Sequence, residues 1–416
     1  MKMKLRILLG ILAVLLAAVG ITVLVACSAG GEDTVTLYVY NWGEYISDGS
    51  EGSLDVNEAF EDWYYDTYGT RVKVNYSTYS SNESMYAKLS SGSVNYDVVV
   101  PSDYMIERMI QEGMLAELNF ENIPHIRNIH GDFFGEDALY DDYDPDNKYA
   151  VPYMYGMIGI IYNTEMVQLS PDDPSMGSWN LMWDDRFAGN ILQFNNSRDA
   201  FGTAQYALGL DVNSNREAEW RLALEKLKAQ KPVLQGYVMD EIFNKMENGS
   251  AAISAYYAGD FLSMYENNDA LEFFYPKEGT NLYVDSMCIP KSSQNKVVAE
   301  RYIDFMLTEA PAVANAEYTY YASPNTVVRE NEEYKEYMNG IKEGGYELMY
   351  GTDTVSTSSY KNLDGDTLIM LNDLWEELKS DIEVGLPIYI VCGVILAILI
   401  GGGVFLGARK RVRDKY

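Results

Sequence analysis

Histidine occurs twice in this chain, at His125 and His130, and cysteine three times, at Cys27, Cys288 and Cys392. Both histidines share one loop-like stretch, and no Cys/His spacing suits zinc, so metal chemistry through imidazole is not expected and no cofactor is implied. Only Cys288 lies well inside the body of the chain, which leaves no disulfide framework there. Positive charge is the next scarcity: 31 Lys and Arg stand against 62 Asp and Glu, for a net charge of −31. Some of those bases lie at the extreme ends, Lys2, Lys4 and Arg6 at one and Arg409, Lys410, Arg411, Arg413 and Lys415 at the other. The body between them is more acidic still. Nucleic acid and bare anionic lipid are poor partners for such a surface, whereas cations are steered toward it. Catalytic signatures are missing as well: the chain has no nucleophile elbow, no HExxH and no glycine-rich phosphate loop.

Long apolar runs are confined to the two ends. Residues 7–26 are apolar and uncharged behind a basic start, the layout of an export signal. The run stops at Leu24-Val25-Ala26-Cys27-Ser28, which resembles the lipobox of bacterial lipoproteins. That resemblance implies a signal peptide over 1–26, lipidation at Cys27 and a linker over 27–33. An uncleaved signal anchor is the alternative, and either way the body is exported. Residues 387–408 form an uncharged stretch of 22 residues, close to the ~20 that span a bilayer core, and the basic tail 409–416 follows. Positive flanks stay in the cytoplasm, so this stretch reads as a transmembrane helix that holds the body at the outer face of the membrane.

At 416 residues the chain exceeds one typical domain, and two lobes are expected. Leu37 to Tyr40 alternates as a strand and runs into Asn41-Trp42-Gly43-Glu44-Tyr45. A helix over 53–68, a strand over 72–76, a capped helix over 85–89, a strand over 96–100 and a helix over 105–112 follow. This alternation predicts a parallel sheet whose strand ends, near Trp42 and Ser102, share one rim. Residues 139–148 are rich in Asp, Tyr and Pro and mark a boundary. Beyond it come strands over 149–162, 189–194 and 251–256, with helices over 200–208, 217–228 and 240–246. Residues 282–290 alternate so that Tyr283 and Asp285 share a face, and helices follow over 297–307 and 366–378. Aromatic rings beside carboxylates at strand ends suit an organic cation.

Several of these segments together resemble the polyamine-binding proteins of bacterial ABC importers. The matching pieces run from Leu37-Tyr38-Val39-Tyr40-Asn41-Trp42-Gly43-Glu44-Tyr45 through Asn82-Glu83-Ser84-Met85-Tyr86-Ala87-Lys88-Leu89 and Tyr96-Asp97-Val98-Val99-Val100-Pro101-Ser102. They continue with Val151-Pro152-Tyr153, Tyr275-Pro276-Lys277-Glu278-Gly279, Val284-Asp285-Ser286 and Ser323-Pro324-Asn325. The resemblance implies an α/β, two-lobed periplasmic-binding-protein fold of type II. Residues 34–150 plus 283–328 would form one lobe and 151–282 plus 329–380 the other. It implies a binding protein, not an enzyme, that delivers spermidine or putrescine to a membrane permease driven by a cytoplasmic ATPase.

Carried over residue by residue, the family's binding aromatics fall on Trp42, Tyr45, Tyr104, Tyr257, Tyr283 and Tyr321. Its amine-pairing acids fall on Asp199, Asp260 and Asp285, and Ser102 supplies a polar contact. Glu44 is left outside this set as a rim residue. The chain departs from the family where Tyr257 and Tyr283 replace the common Trp, where Asn196 stands at a position that can carry an acid, and at Lys361, near a position that can carry glutamine. These departures leave diamine and triamine both open. The rival readings are a ferric-iron binder using the phenol pairs Tyr256-Tyr257 and Tyr320-Tyr321, a saccharide binder, and an exported hydrolase with paired acids.

Overall fold

The computed structural model describes residues 34–136 and 138–380. The expected lipidation site Cys27, the span 387–408 and the tail 409–416 lie outside them. Among the described residues no helix is long and apolar enough to cross a membrane.

Ten strands are joined in one mixed sheet: β1 (Val35–Trp42), β2 (Val72–Tyr79), β3 (Val98–Val99), β4 (Ala150–Asn163), β5 (Ile191–Phe194), β6 (Leu234–Val238), β7 (Ile253–Tyr257), β8 (Leu271–Phe274), β9 (Thr280–Cys288) and β10 (Thr357–Ser358). Their order is β2-β1-β3-β9-β4-β7-β5-β6, with β8 on β4 and β10 on β9. The flanks are parallel, β1 with β2 and β3 on one side and β5 with β6 and β7 on the other. The middle is antiparallel: β4 runs against β9 from Ala150↔Cys288 to Met157↔Leu282. β4 and β9 are buried almost throughout, and β4 is correspondingly apolar, whereas β9 buries the polar Thr280, Asn281, Asp285 and Ser286.

Helices α1 (Val56–Tyr68), α2 (Asn82–Ser90) and α3 (Asp103–Gln111) follow the first three strands. α1 starts where the Asp55 side chain accepts from the Glu58 N–H and ends at Gly69. α2 starts at a capping box made by Ser81 and Ser84. In the other half, α4 (Ser197–Leu208), α5 (Glu217–Gln230), α6 (Glu241–Glu247) and α7 (Ala258–Asn267) cover the second flank. α7 departs from the expected strand-end loop: Tyr257 is its N-cap and Ala258-Gly259-Asp260 its first turn. β2 also runs three residues past the expected Tyr76, because Tyr79 pairs with Trp42. β6, β8 and the helices between 309 and 350 were not anticipated from the sequence.

Two apolar cores result. The larger surrounds the sheet. In the smaller one the terminal helix Gly365–Ser380 lays Leu371, Leu374 and Leu378 on Phe201 of α4 and on Trp220, Leu224 and Leu227 of α5. Leu374 is 2% exposed and Ile369, on the same helix, 62%. Leu374→Ala is therefore expected to lower unfolding free energy by about 2–5 kcal/mol in urea titrations, and Ile369→Ala to stay within about 0.5 kcal/mol. Equal effects of the two would contradict this packing.

Candidate functional site

The strand ends of both flanks converge on one cavity. All ten residues singled out from the sequence line it: Trp42, Tyr45, Ser102 and Tyr104 from the first flank, Asp199, Tyr257 and Asp260 from the second, and Tyr283, Asp285 and Tyr321 between them.

Asp285 stands at the centre, 4% exposed, in the middle of β9. Tyr45 Oη donates to its Oδ2 at 2.8 Å and Ser102 Oγ to its Oδ1 at 2.6 Å. Ser102 reaches it because the turn after β3 forms a bridge directly opposite Asp285. Behind Ser102, the Asn82 amide donates to Ser102 Oγ at 3.0 Å and to Tyr104 Oη at 3.1 Å, and Tyr104 Oη donates to Glu83 Oε1 at 2.9 Å. Trp42 is pinned at the end of β1 by its indole N–H, which donates to Val100 O at 2.9 Å, and by Tyr79, whose ring lies 4.7 Å away.

Asp199 occupies the first turn of α4, where the backbone cap is made by Asn196 instead. Asn196 also donates its amide to Asp199 Oδ2 at 2.8 Å, and Tyr257 Oη donates to the same oxygen at 2.6 Å. Tyr257 meets Tyr283 edge to face at 5.5 Å, and Tyr321 meets Tyr45 likewise at 4.8 Å. Asp260, in the first turn of α7, lies against the Tyr321 phenol. Two glycines make room for the rings: a methyl group on Gly259 would overlap Tyr321, and one on Gly202 would overlap Tyr360.

The sequence reading passed over Asn82, Glu83, Asp240 and Tyr360 as cavity residues. Asn82 and Glu83 were legible as part of a family-like segment at the start of a helix, not as cavity residues, and Tyr360 was passed over beside Lys361. Lys361 itself points away, its ammonium 3.0 Å from Asp142, so it does not intrude on a cation. Glu44 does line the cavity, in a left-handed backbone conformation at φ 49°. It also borders a second, outer cavity, which shares Asp240, Phe243 and Asp260 with the first.

Burial pushes Asp285 up to about 7, its two hydroxyl donors opposing the shift. Burial likewise takes Asp260 to about 8 and Asp199 to about 6. Among the described residues none of the three is ion-paired; the Arg198 charge acts on Asp199 alone and opposes its shift. A buried carboxylate without a counter-ion is costly, and protonation relieves that cost. These three carboxyls therefore bind more protons in the folded protein than in the unfolded chain between the ordinary value of 3.8 and about 8. Their contribution to stability falls as pH rises through that window. Melting curves from about pH 5 to pH 8 should show a shallower fall for Asp285→Asn than for the unaltered protein; identical slopes would contradict the assignment.

Comparison with known proteins bears on what such a cavity holds. The sequence model of the bacterial extracellular solute-binding protein family matches residues 57–341. A spermidine/putrescine-binding periplasmic protein of Salmonella typhimurium is 29% identical over 366 residues, covering 88% of this chain and 97% of its own. Its counterpart in Escherichia coli is 31% identical over 315 residues, covering 76% and 84%. Among solved structures, a spermidine/putrescine ABC transporter substrate-binding protein of Streptococcus pneumoniae superimposes with a TM-score of 0.64 at 30% identity, over 83% of this chain and 98% of that one. A periplasmic-binding-protein fold, a cavity where its strand ends converge, and relatives matched over most of their length agree: the chain belongs to the bacterial extracellular solute-binding proteins, in the spermidine/putrescine-binding family.

Proposed function

We propose that this protein binds one polyamine, spermidine or putrescine, in the cavity and delivers it to the permease of an ABC importer at the outer face of the membrane. The observation that carries this reading is that two buried carboxylates, Asp199 and Asp285, and the half-buried Asp260 line one cavity with aromatic rings and, among the described residues, form no salt bridge. An ammonium leaving water must be neutralised and hydrogen-bonded, or its desolvation is not recovered. Asp285 meets that need at the centre of the slot, Asp199 and Asp260 toward its ends. The methylenes between ammonium groups need flat apolar walls, which Trp42, Tyr45, Tyr104, Tyr257, Tyr283 and Tyr321 supply, with cation–π attraction of about 0.5–2 kcal/mol each.

Ser102 acts by holding Asp285 in place. Residues 34–150 with 283–328 and 151–282 with 329–380 serve as the two lobes, and β4 and β9, common to both sides of the sheet, serve as the hinge about which they close. Lipidation at Cys27 and the span 387–408 would hold the protein beside its permease, whose cytoplasmic ATPase drives uptake. The protein itself catalyses nothing. The phenol pairs favour this reading over ferric iron: the hydroxyl of Tyr257 is spent on Asp199 and that of Tyr320 on Glu266, and burial raises both phenols above their ordinary range, against phenolate formation.

Calorimetry on the purified protein with spermidine, putrescine, ferric citrate and a sugar panel tests the proposal. Saturable binding of at least one polyamine, and of no sugar or iron, is the expected outcome; absence of polyamine binding sinks it. Asp285→Asn should weaken binding by about 2–5 kcal/mol, the usual cost of leaving a buried charge unpaired. A loss below about 0.5 kcal/mol would place Asp285 outside the contact.

A further inference from the structure

Glu83 carries its negative charge in the first turn of α2, where the helix dipole favours it, but no salt bridge among the described residues uses that charge. It is half-buried at the start of α2, but the cap there is built by Ser81 and Ser84. Among the described residues no lysine or arginine is ion-paired with it. Its Oε1 accepts from Tyr104 Oη at 2.9 Å, and its side chain lines the cavity. From there its charge acts on Asp199, which belongs to the opposite flank of the sheet. Tyr104 lies between the two, its phenol pushed up by burial and then by the charges of Glu83 and Asp199.

Glu83 and Asp199 thus line one cavity from opposite flanks, and among the described residues neither forms a salt bridge. Asp199 has Tyr257 and Asn196 as donors on its own side, so its free face is the one turned to the cavity. Arg198 acts on Asp199 and lies 5.8 Å over the Tyr104 ring, but its guanidinium is committed to Val212 O and Asn213 Oδ1, both at 2.7 Å, and to the Tyr360 ring at 4.2 Å. The amide of Asn196, where an acid could have stood, leaves Asp199 as the one carboxylate that the start of α4 offers to the cavity.

We propose that Glu83 is a specificity-determining residue that completes the ammonium subsite at the Asp199 end, the ligand's terminal ammonium being held jointly by Glu83 from one lobe and Asp199 from the other. This rests on the polyamine reading of the cavity. It makes recognition of that ammonium a property of the closed state only, since the two carboxylates sit on opposite lobes.

The test is calorimetry of the purified protein and its Glu83→Gln variant with spermidine and with its two mono-acetylated forms, each lacking the charge at one end. Glu83→Gln should weaken spermidine about tenfold. It should weaken by less than about twofold the acetylated form whose neutral end faces Asp199, while the other acetylated form suffers the full loss. Tyr104→Phe, which keeps both carboxylates and removes only the hydroxyl between them, should preserve this end-specific pattern. An equal loss for all three ligands, or none for spermidine, overturns the assignment. If Glu83→Gln melts less cooperatively than the parent, Glu83→Ala carries the same comparison. Failure of the unaltered protein to bind any of the three would instead bring down the polyamine reading itself.

Discussion

A carboxylate at the centre of a buried strand is the constraint on which the rest of this molecule turns. Asp285 is taken out of water with two hydroxyl donors, Tyr45 and Ser102, and no counter-ion. Two neutral donors lower the energy of its charge without cancelling it. Everything nearby is arranged around that residual deficit. The turn after β3 brings Ser102 to it, the segment after β1 brings Tyr45, and Asn82 fixes Ser102 in turn. The protein therefore carries an unmet electrostatic demand in its middle, and a cationic guest of the right shape is what would satisfy it.

The same logic governs the second flank in a different way. Asp199 and Asp260 both sit in the first turn of a helix that begins directly after a strand, where the exposed N–H groups and the helix dipole favour a negative charge. Strand-to-helix junctions thus set the carboxylates at the rim of the sheet, while rings from neighbouring strands fill the intervals. Because β4 and β9 lie side by side from Ala150 to Met157, the two flanks are parts of one sheet, not separate bodies joined by a loop. Asp285 lies on one of these shared strands, so charge compensation at the centre bears directly on the element that links the flanks.

How much of this was legible in the sequence varied with the strength of the local signal. The alternation in β1, the valine run leading into β3 and the length of β4 announced strands because burial on one or both faces dictates those patterns. α7 was missed because its first turn, Ala258-Gly259-Asp260, carries a glycine whose purpose is to clear space for Tyr321, and space-clearing looks like a loop signal in one dimension. The ten candidate residues lie around one cavity, yet their grouping came from resemblance to a family; spacing alone would not have joined Asp199 to Tyr45. Glu83 and Asn82 show the opposite failure. Their positions matched a helix start so well that their side chains, which cap nothing, drew no further notice. Hydrogen-bond partners distant in sequence, such as Tyr104 for Glu83, become visible only once the chain is folded.

The outer cavity gives the mouth of the slot a character of its own. Glu44, Asp240, Glu247, Asp260, Glu266 and Glu317 border it, and no lysine or arginine does. An arriving cation meets a field of one sign before it touches any ring, so its local concentration rises at the threshold, and the gain belongs to the rate of capture more than to the strength of holding. Dissolved salt screens such a field within about 8–10 Å at physiological ionic strength but reaches the enclosed carboxylates far less. Arrival and retention are thereby placed under separate physical control: the ionic composition of the surroundings sets how often the slot is filled, and the buried centre sets how long it stays so.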